Sequence, residues 1–527
     1  MAPQTPGRPP LRTIEEKIEE LRAKRTKLEL GGGQDGIDKQ HAGGKLTARE
    51  RITGLVDDGS FQEIGLFAKH HCTYFGMAEK ELAADGVVTG YATVDGRAVH
   101  LASQDFTVAG GAAGEVHSIK VAEMQELALK TGTPFVFIND SGGARVQEGI
   151  DSLSGYGKVF YNNVILSGSV PQISLICGPC AGGAAYSPAL TDFIIQTKRA
   201  HMFITGPQVI KQVTGEVVSA DALGGAVAQM NNSGVIHLIA EDDEDAIYQC
   251  RRLLSFMPSN NVEDPPRLPF DEPIESDPAL NQAIPVDTKQ GYDVREILLR
   301  VVDNQDFLEI QSGFAPNIVI GFARVQGRSI GIVANQPCAL AGALDINSSD
   351  KASRFIRFCN AFNIPIVTFV DVPGFRPGVE QESGGIIRHG AKMLYSYSAA
   401  TVPKVTVILR KAYGGAYVAM CSKDLGADRV AAWPTAEIAV MGAEGAAEIV
   451  FRTAIQEAPP EERDAKRKEL IELYRSTFAN PYVSAGRRLV DDIIEPSETR
   501  KYLVRALESL HTKRESRPPK KHGLIPL

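Results

Sequence analysis

Apolar residues in the first thirty positions recur at helical spacing with charges between them, from Thr13-Ile-Glu-Glu-Lys-Ile to Leu28-Glu-Leu. This pattern predicts a helix over residues 13–30, lying on the first domain and stopped by Gly31-Gly-Gly33. Further on the period changes. Short β-rich runs, Phe135-Val-Phe-Ile138 and Val405-Thr-Val-Ile-Leu409, alternate with longer helical patterns over Glu115–Thr131 and Ser349–Phe362. Strand–turn–helix alternation of this kind predicts an α/β fold with buried strands.

The pattern also repeats. Gly90-Tyr-Ala-Thr-Val-Asp-Gly-Arg97 returns as Gly321-Phe-Ala-Arg-Val-Gln-Gly-Arg328, displaced by 231 positions. Ser103-Gln104 with Val108-Ala109-Gly110 returns as Asn335-Gln336 with Leu340-Ala341-Gly342, displaced by 232. Pro134 to Asp140 matches Pro365 to Asp371, and Val170-Pro171 with its strand and Gly182-Gly183-Ala184 matches Val402-Pro403 with Gly414-Gly415-Ala416. Ordered landmarks over so long a stretch mean two copies of one fold, a duplication of whole domains and not a short-period array. Between the copies, Pro258-Ser-Asn-Asn-Val-Glu-Asp-Pro-Pro266 followed by Pro269, Pro273 and Pro278 cannot continue a helix or central strand. The expected division is a first domain over 1–265, a linker over 266–284 and a second domain over 285–527.

Composition adds limits. A chain of 527 residues, 43% hydrophobic and 23% charged, is long enough for two globular cores. A net charge of -8 argues against a general nucleic-acid binder. The start lacks the charged-then-apolar pattern expected of a secretory signal, Glu15, Glu16, Glu19 and Glu20 argue against a mitochondrial presequence, no apolar run reaches a membrane span, and seven scattered cysteines suit the cytoplasm. Cys177-Gly-Pro-Cys180 has redox or zinc spacing. With no second pair and an apolar run before it, the reading is structural packing, and no metal site is expected.

Fifty glycines, many of them in pairs, carry the candidate chemistry. The strand-to-helix junctions hold Asp140-Ser-Gly-Gly-Ala-Arg145 and Ala181-Gly-Gly-Ala184 in the first copy, and Asp371-Val-Pro-Gly-Phe375 and Tyr413-Gly-Gly-Ala416 in the second. Glycine permits left-handed turns and close approach of a ligand to backbone. A helix starting just after such a turn presents free N–H groups, and two that converge form an oxyanion hole. Close helix–strand packing would explain one glycine pair; equivalent pairs in both copies favour the oxyanion reading. Nucleotide-loop, dinucleotide and serine-hydrolase patterns are missing near these turns. Asp140, Glu148, Asp371 and Glu380 could act as bases, though turn and capping roles are commoner for such residues.

With those residues in hand, the chain resembles the carboxyltransferase (β) subunits of propionyl-CoA carboxylase and related acyl-CoA carboxylases over nearly its whole length. The resemblance rests on Lys45-Leu-Thr-Ala-Arg-Glu-Arg51, Ser103-Gln-Asp-Phe-Thr107, Asn139-Asp-Ser-Gly-Gly-Ala-Arg145, Gly178-Pro-Cys-Ala-Gly-Gly183, Phe203-Ile-Thr-Gly-Pro207, Ala334-Asn-Gln-Pro337, Phe369-Val-Asp-Val-Pro-Gly-Phe375, Arg410-Lys-Ala-Tyr-Gly-Gly-Ala-Tyr417 and Trp433-Pro-Thr-Ala436. It implies two tandem crotonase-like (ββα-spiral) domains, a homohexamer, and carboxyl transfer from carboxybiotin to a short acyl-CoA. It implies Gly182 and Gly183 at one oxyanion and Gly415 and Ala416 at the other, with Gly143, Ala144, Gly374 and Phe375 lining adjoining loops. Biotin would arrive on a separate carrier protein: this chain has no Met-Lys-Met biotinylation motif and no ATP-grasp domain, so a biotin carboxylase and carrier are implied partners. Val418 departs from the Asp that many propionyl-type relatives carry there, which leaves a longer or branched acyl group open. A transcarboxylase or decarboxylase subunit, a crotonase-type hydratase and a non-catalytic assembly subunit are the competing readings.

Overall fold

The computed structural model describes residues 12–527. The chain forms two compact units. The first takes residues up to 167 with 172–226 and 239–251; the second takes 168–171, 227–238 and 252–527. Each contains one eight-stranded sheet.

In the first sheet, β1 (Gln62–Ile64), β2 (Val87–Val94) and β3 (Arg97–Gln104) run antiparallel in succession. Then β4 (Phe135–Ser141), β5 (Gln172–Ala181) and β6 (Phe193–Thr197) continue in parallel, β7 (His201–Phe203) adds to the end of β5, and β8 (Leu238–Ala240) closes the path. The second sheet repeats the plan. β9 (Phe307–Ile310), β10 (Ile318–Val325) and β11 (Arg328–Asn335) are antiparallel; β12 (Ile366–Val372), β13 (Lys404–Tyr413) and β14 (Arg429–Ala432) are parallel. β15 (Glu437–Ala439) pairs with the end of β13, and β16 (Asp492–Ile493) pairs with β14. The duplication and the α/β class predicted from the sequence are both present.

The register sharpens the repeat. Val87 faces Gln104 in the first hairpin and Ile318 faces Asn335 in the second, so Gln104 corresponds to Asn335 at a displacement of 231, one less than the sequence comparison gave for this segment. The shift to 232 enters later: Phe135 faces Gln172, while Ile366 faces Lys404. The repeat also begins earlier than its sequence landmarks. Helix Ala48–Leu55 and helix Val294–Val301 lead into β1 and β9, with Glu63 opposite Gly90 and Glu309 opposite Gly321. Those glutamates are 246 positions apart and the glycines 231, so the first copy carries fifteen extra residues between them. That insertion hides the match.

Local chemistry accounts for the element ends. The first helix runs Ile14–Glu29 from a Thr13–Glu16 capping box and ends ahead of Gly31, whose φ is 58°. Glu115–Thr131 is the expected helix, ended by Gly132 in the left-handed region. The second-copy helix starts at Ile346, not Ser349, because the Asp345 carboxylate accepts from the Ser348 N–H and begins the turn earlier. Strand β4 extends past Ile138 through Asn139-Asp140-Ser141, all buried. Residues 283–292 and most of 257–277 contain neither helix nor strand, apart from the Arg267–Arg328 bridge. In the second unit, strand residues Val319, Ile332, Val367, Phe369, Val405 and Val407 build a core with Ile297, Leu298, Trp433 and Leu503. Each buried side chain of this size contributes roughly 1.5–3 kcal/mol.

Candidate active site

In both units the candidate residues sit where parallel strands end. In the first, Ser141 at the end of β4 faces Cys180 near the end of β5, so the loops after these strands leave side by side. Gly143 has φ 102°, and a Cβ there would stand 2.9 Å from the Ala181 carbonyl oxygen. Only glycine lets the two loops approach this closely. Gly182 follows Ala181 with φ 61°, and Gly183 faces the Tyr156 ring at 3.6 Å from a notional Cβ. The short helical turns beginning at Gly182 leave the first N–H groups without intrahelical partners.

Ala144 is fixed from the other side. Ala113 N–H donates to the Gly143 carbonyl (2.9 Å) and Arg145 N–H to the Ala113 carbonyl (2.9 Å), making a one-residue parallel bridge between Ala113 and Ala144. The second unit reproduces it: Leu344 N–H donates to Gly374 (3.1 Å) and Arg376 N–H to Leu344 (2.7 Å), bridging Leu344 to Phe375. Val372 faces Ala412, so the loops after β12 and β13 again emerge together. Gly374 and Gly415 have no atom within 4 Å of a notional Cβ, and the Phe375 ring lies against Gly390. Gly414 has φ 60°, matching Gly182. Ala416 is buried, and Val418 is exposed on the helix Gly414–Ala419. By strand register, Gly183 corresponds to Gly415 and Ala184 to Ala416, so the two residue pairs taken from the family resemblance are offset by one position between the copies.

Three of the four candidate carboxylates are committed elsewhere. Asp140 is fully buried and accepts from Lys45 (2.8 Å), Arg51 (2.9 Å) and Gln40 (3.0 Å). Arg51, also fully buried, reaches on to Asp243 at 2.8 Å. Glu148 pairs with Arg145 (2.7 Å) and accepts the Glu115 N–H (2.7 Å). Asp371 accepts from Arg410 (3.0 Å), the Tyr292 hydroxyl (2.9 Å) and the Lys411 N–H (3.1 Å); burial pushes its pKa up against the pull of Arg410. Glu380 is exposed in the first turn of helix Val379–Gly384. His117, on the helix that follows Ala113, is buried, and desolvation with Arg145 nearby holds it at about 3, a weak proton acceptor. The thiols of Cys177 and Cys180 are buried and unpaired; burial pushes Cys180 up to about 12. Neither is poised as a nucleophile.

Sequence reasoning did not assign a role to Lys45, Arg51, Tyr292 or Arg410. All but Tyr292 lie in motifs quoted for the resemblance, and each proves to be a partner of a buried aspartate. The available signal was a pair of aspartates ending apolar strands, which require counter-charges. Among the described residues no group of three or more His, Cys, Asp or Glu could hold a metal, and no helix is long and apolar enough to cross a membrane.

The arrangement offers backbone donors at two equivalent turns and few side-chain bases, which suits stabilisation of developing negative charge on oxygen. Residues 39–525 match the family model described as "Carboxyl transferase domain". The chain is 60% identical to the methylmalonyl-CoA carboxyltransferase 12S subunit of Propionibacterium freudenreichii subsp. shermanii, over 98% of both chains. It is 57% identical to the methylmalonyl-CoA decarboxylase subunit alpha of Veillonella parvula, over 98% of this chain and 100% of that one. It is 54% identical to the propionyl-CoA carboxylase carboxyltransferase subunit of Haloferax mediterranei, with the same coverage. A crystal structure of transcarboxylase 12S, a hexamer with methylmalonyl-CoA and methylmalonic acid bound, superposes with a TM-score of 0.96 at 60% identity, covering 98% of this chain and 99% of that one. The two units are crotonase-like domains in tandem, and the chain belongs to the carboxyl transferase family.

Proposed function

We propose that this chain is the carboxyl-transfer subunit of a biotin-dependent acyl-CoA enzyme. It moves CO₂ from carboxybiotin, carried on a separate protein, to the α-carbon of a short acyl-CoA, with propionyl-CoA giving methylmalonyl-CoA. The observation that carries the reading is the repeated turn: a positive-φ glycine at Gly182 and at Gly414 directly after a parallel strand, each followed by N–H groups at the start of a helix. Gly182 and Gly183 serve one oxyanion and Gly415 and Ala416 the other, divided between the thioester enolate and the ureido oxygen of biotin. Gly143, Ala144, Gly374 and Phe375 line the adjoining loops, and Val418 shapes the acyl side.

Carboxybiotin supplies the CO₂ and, once that has left, a nitrogen basic enough to take the α-proton. That chemistry asks the chain for no strong base of its own, in keeping with Asp140, Glu148 and Asp371 being tied into ion pairs. The protein's part is to stabilise the two oxyanions and exclude water, which is positioning and electrostatics. The functional domains are 1–265 and 285–527 around the 266–284 linker, assembled as a homohexamer with a biotin carboxylase and carrier as partners. Seven unpaired cysteines support a cytoplasmic setting.

A second reading keeps the half-reaction but reverses its use, with methylmalonyl-CoA as CO₂ donor. It is favoured by the higher identity to the 12S subunit than to the carboxylase relative. Assays with a biotin carboxylase and carrier, ATP, bicarbonate and an acyl-CoA series should show acyl-CoA-dependent ATP turnover, highest with propionyl-CoA. No such turnover with any competent partner overturns the carboxylase reading. Carboxylation of the carrier from methylmalonyl-CoA without ATP is expected of both readings; that activity without any acyl-CoA-dependent ATP turnover supports the second, and enoyl-CoA hydration without biotin overturns both.

A further inference from the structure

The two copies differ in how they hold their turns. In the first, the loop after β4 is clamped by a buried side chain: Arg145 donates to Asp85 (2.5 Å), Glu148 (2.7 Å) and the Ala112 carbonyl (2.9 Å). Its counterpart in the second copy, Arg376, is exposed. The turn after β13 reverses the pattern. Tyr413, the last residue of the strand, is 8% exposed, and its hydroxyl donates to Glu437 on the adjacent strand β15. Glu437 pairs with Arg475 at 3.4 Å, and Arg475 also pairs with Glu444 (3.2 Å) and Glu472 (2.9 Å). The Tyr413 ring packs against Gly442, and Gly414 lies close under the Val440 carbonyl, 3.0 Å from a notional Cβ. In the first copy Ala181 occupies the place of Tyr413, and β7 pairs Pro179 with His201 as β15 pairs Lys411 with Glu437. His201 points its imidazole to Asp221 at 2.7 Å. No side-chain strut is available from Ala181.

We propose that Tyr413, braced through Glu437 and Arg475, is the positioning residue that fixes the Gly414–Ala416 turn for carboxyl transfer. Tyr413 touches neither substrate in this account; it sets where the backbone donors that follow it stand. Burial and the neighbouring Glu437 carboxylate push the phenol's pKa upward, so the hydroxyl stays protonated and remains a donor. A donor displaced by about 1 Å costs on the order of 10²-fold in rate, so a loosened strut acts on turnover more than on binding. The inference rests on the carboxyl-transfer reading for its kinetic test but not for its geometric one.

The test uses the full chain with a biotin-carrying partner, propionyl-CoA as substrate, and propionyl-CoA affinity measured separately by calorimetry. Tyr413→Phe keeps the ring and should lower kcat about tenfold or more while leaving the affinity at its parental value, with the variant still folded at the assay temperature. Glu437→Gln retains an acceptor for the hydroxyl and should keep most of kcat. Glu437→Ala should match Tyr413→Phe, and the double variant should lose no more than either alone. Parental kcat in Tyr413→Phe, or losses that multiply in the double variant, overturns the proposal. Where the parent itself transfers no carboxyl group, the functional reading has failed and crystal structures of parent and Tyr413→Phe decide the strut. A shift of residues 413–416 by more than about 0.5 Å supports it, and superposable backbones overturn it.

Discussion

Asp140 and Asp371 hold the same place in the two copies and are neutralised in different ways. Asp140 receives its counter-charges from the segment ahead of the sheet, Lys45 and Arg51, while the β5 position beside it is Gly178. Register equates Gly178 with Arg410, because Ser141 faces Cys180 and Val372 faces Ala412. In the second copy Arg410 supplies the charge from the strand itself, with Tyr292 donating from the leading segment. The leading helices otherwise agree: Arg49 holds Glu63 as Arg295 holds Glu309, but Arg51 stands where the second copy has buried Ile297. A Cβ on Gly178 would lie 1.9 Å from the Asp140 carboxylate, so the strand solution is closed to the first copy. Both copies thus keep a buried carboxylate near the end of the fourth strand, and its charged partner comes from the leading helix in one and from the neighbouring strand in the other.

The largest effects should come from removing those partners. Arg51→Leu takes the ion pair from buried Asp243 and leaves buried Asp140 with Lys45 as its one counter-charge, and should destabilise the chain by about 3–5 kcal/mol. Arg410→Leu affects one buried carboxylate, Asp371, and should fall at the lower end of that range, softened by Tyr292. Thermal and urea unfolding of the two variants beside the parent measures both. An Arg51→Leu variant with the parental midpoint would dissolve the comparison.

Next come the turns themselves. Gly182 and Gly414 share φ values of 61° and 60°, where a β-branched residue is strained. Gly182→Val and Gly414→Val should each lower carboxyl transfer by about 10²–10³-fold, the usual cost of losing one oxyanion donor, with assembly state checked by light scattering. Equal losses sharpen the symmetry of the two turns. A fully active variant at either position removes that turn from the chemistry.

How much of this was legible beforehand follows from what kind of signal each feature leaves. The duplication left glycines and prolines at fixed spacing, because turns and strand starts demand those residue types, and it was read correctly from them. The helix Ala48–Leu55 and its partner Val294–Val301 share burial but only the Arg49-Glu50 and Arg295-Glu296 pair in residue identity, and the fifteen-residue insertion after Glu63 puts them out of register. The glycine turns were visible as sequence, and their left-handed φ values at Gly143, Gly182 and Gly414 fit that reading. The counter-charges were not visible. Arg51 and Asp140 are 89 residues apart, and only folding brings them to 2.9 Å. Nor does the sequence show a partner for Tyr413, because Glu437 lies on a three-residue strand too short to show a period.

A smaller effect is expected at Val418, exposed on the helix that follows the second turn, where the first copy has Tyr186. Val418→Asp should shift the preference between propionyl-CoA and longer acyl-CoA substrates by about 1–3 kcal/mol, the scale of one methylene in an apolar pocket. The ratio of kcat/KM values across the series reads it. An unchanged profile takes Val418 out of substrate choice and leaves the acyl pocket to other residues.

The smallest effect concerns the first hairpin, where the copies again answer each other. Asp57 accepts from the Gly96 N–H (2.9 Å), the Thr93 hydroxyl (2.7 Å) and the Asp95 N–H (3.0 Å), and Asp303 likewise accepts from Gln326 and Gly327 in the second hairpin. Led by the Gly96 N–H, these donors bring the Asp57 carboxyl down to about 2. A carboxyl whose pKa is lower folded than unfolded, about 3.9 in a free chain, stabilises the fold above that value and ceases to as pH falls toward 2. Asp57 is 30% exposed, so solvent screens the gain, and Asp57→Asn should cost only about 1 kcal/mol at neutral pH. The gap between parent and variant stability should close as pH drops from about 4 to 2. Asp303, 3% exposed and also paired with Arg500 at 2.6 Å, should show the larger neutral-pH loss on the same substitution. A gap at Asp57 that stays constant down to pH 2 would mean the carboxylate's charge does not hold the first hairpin, and that the two copies stabilise this turn differently too.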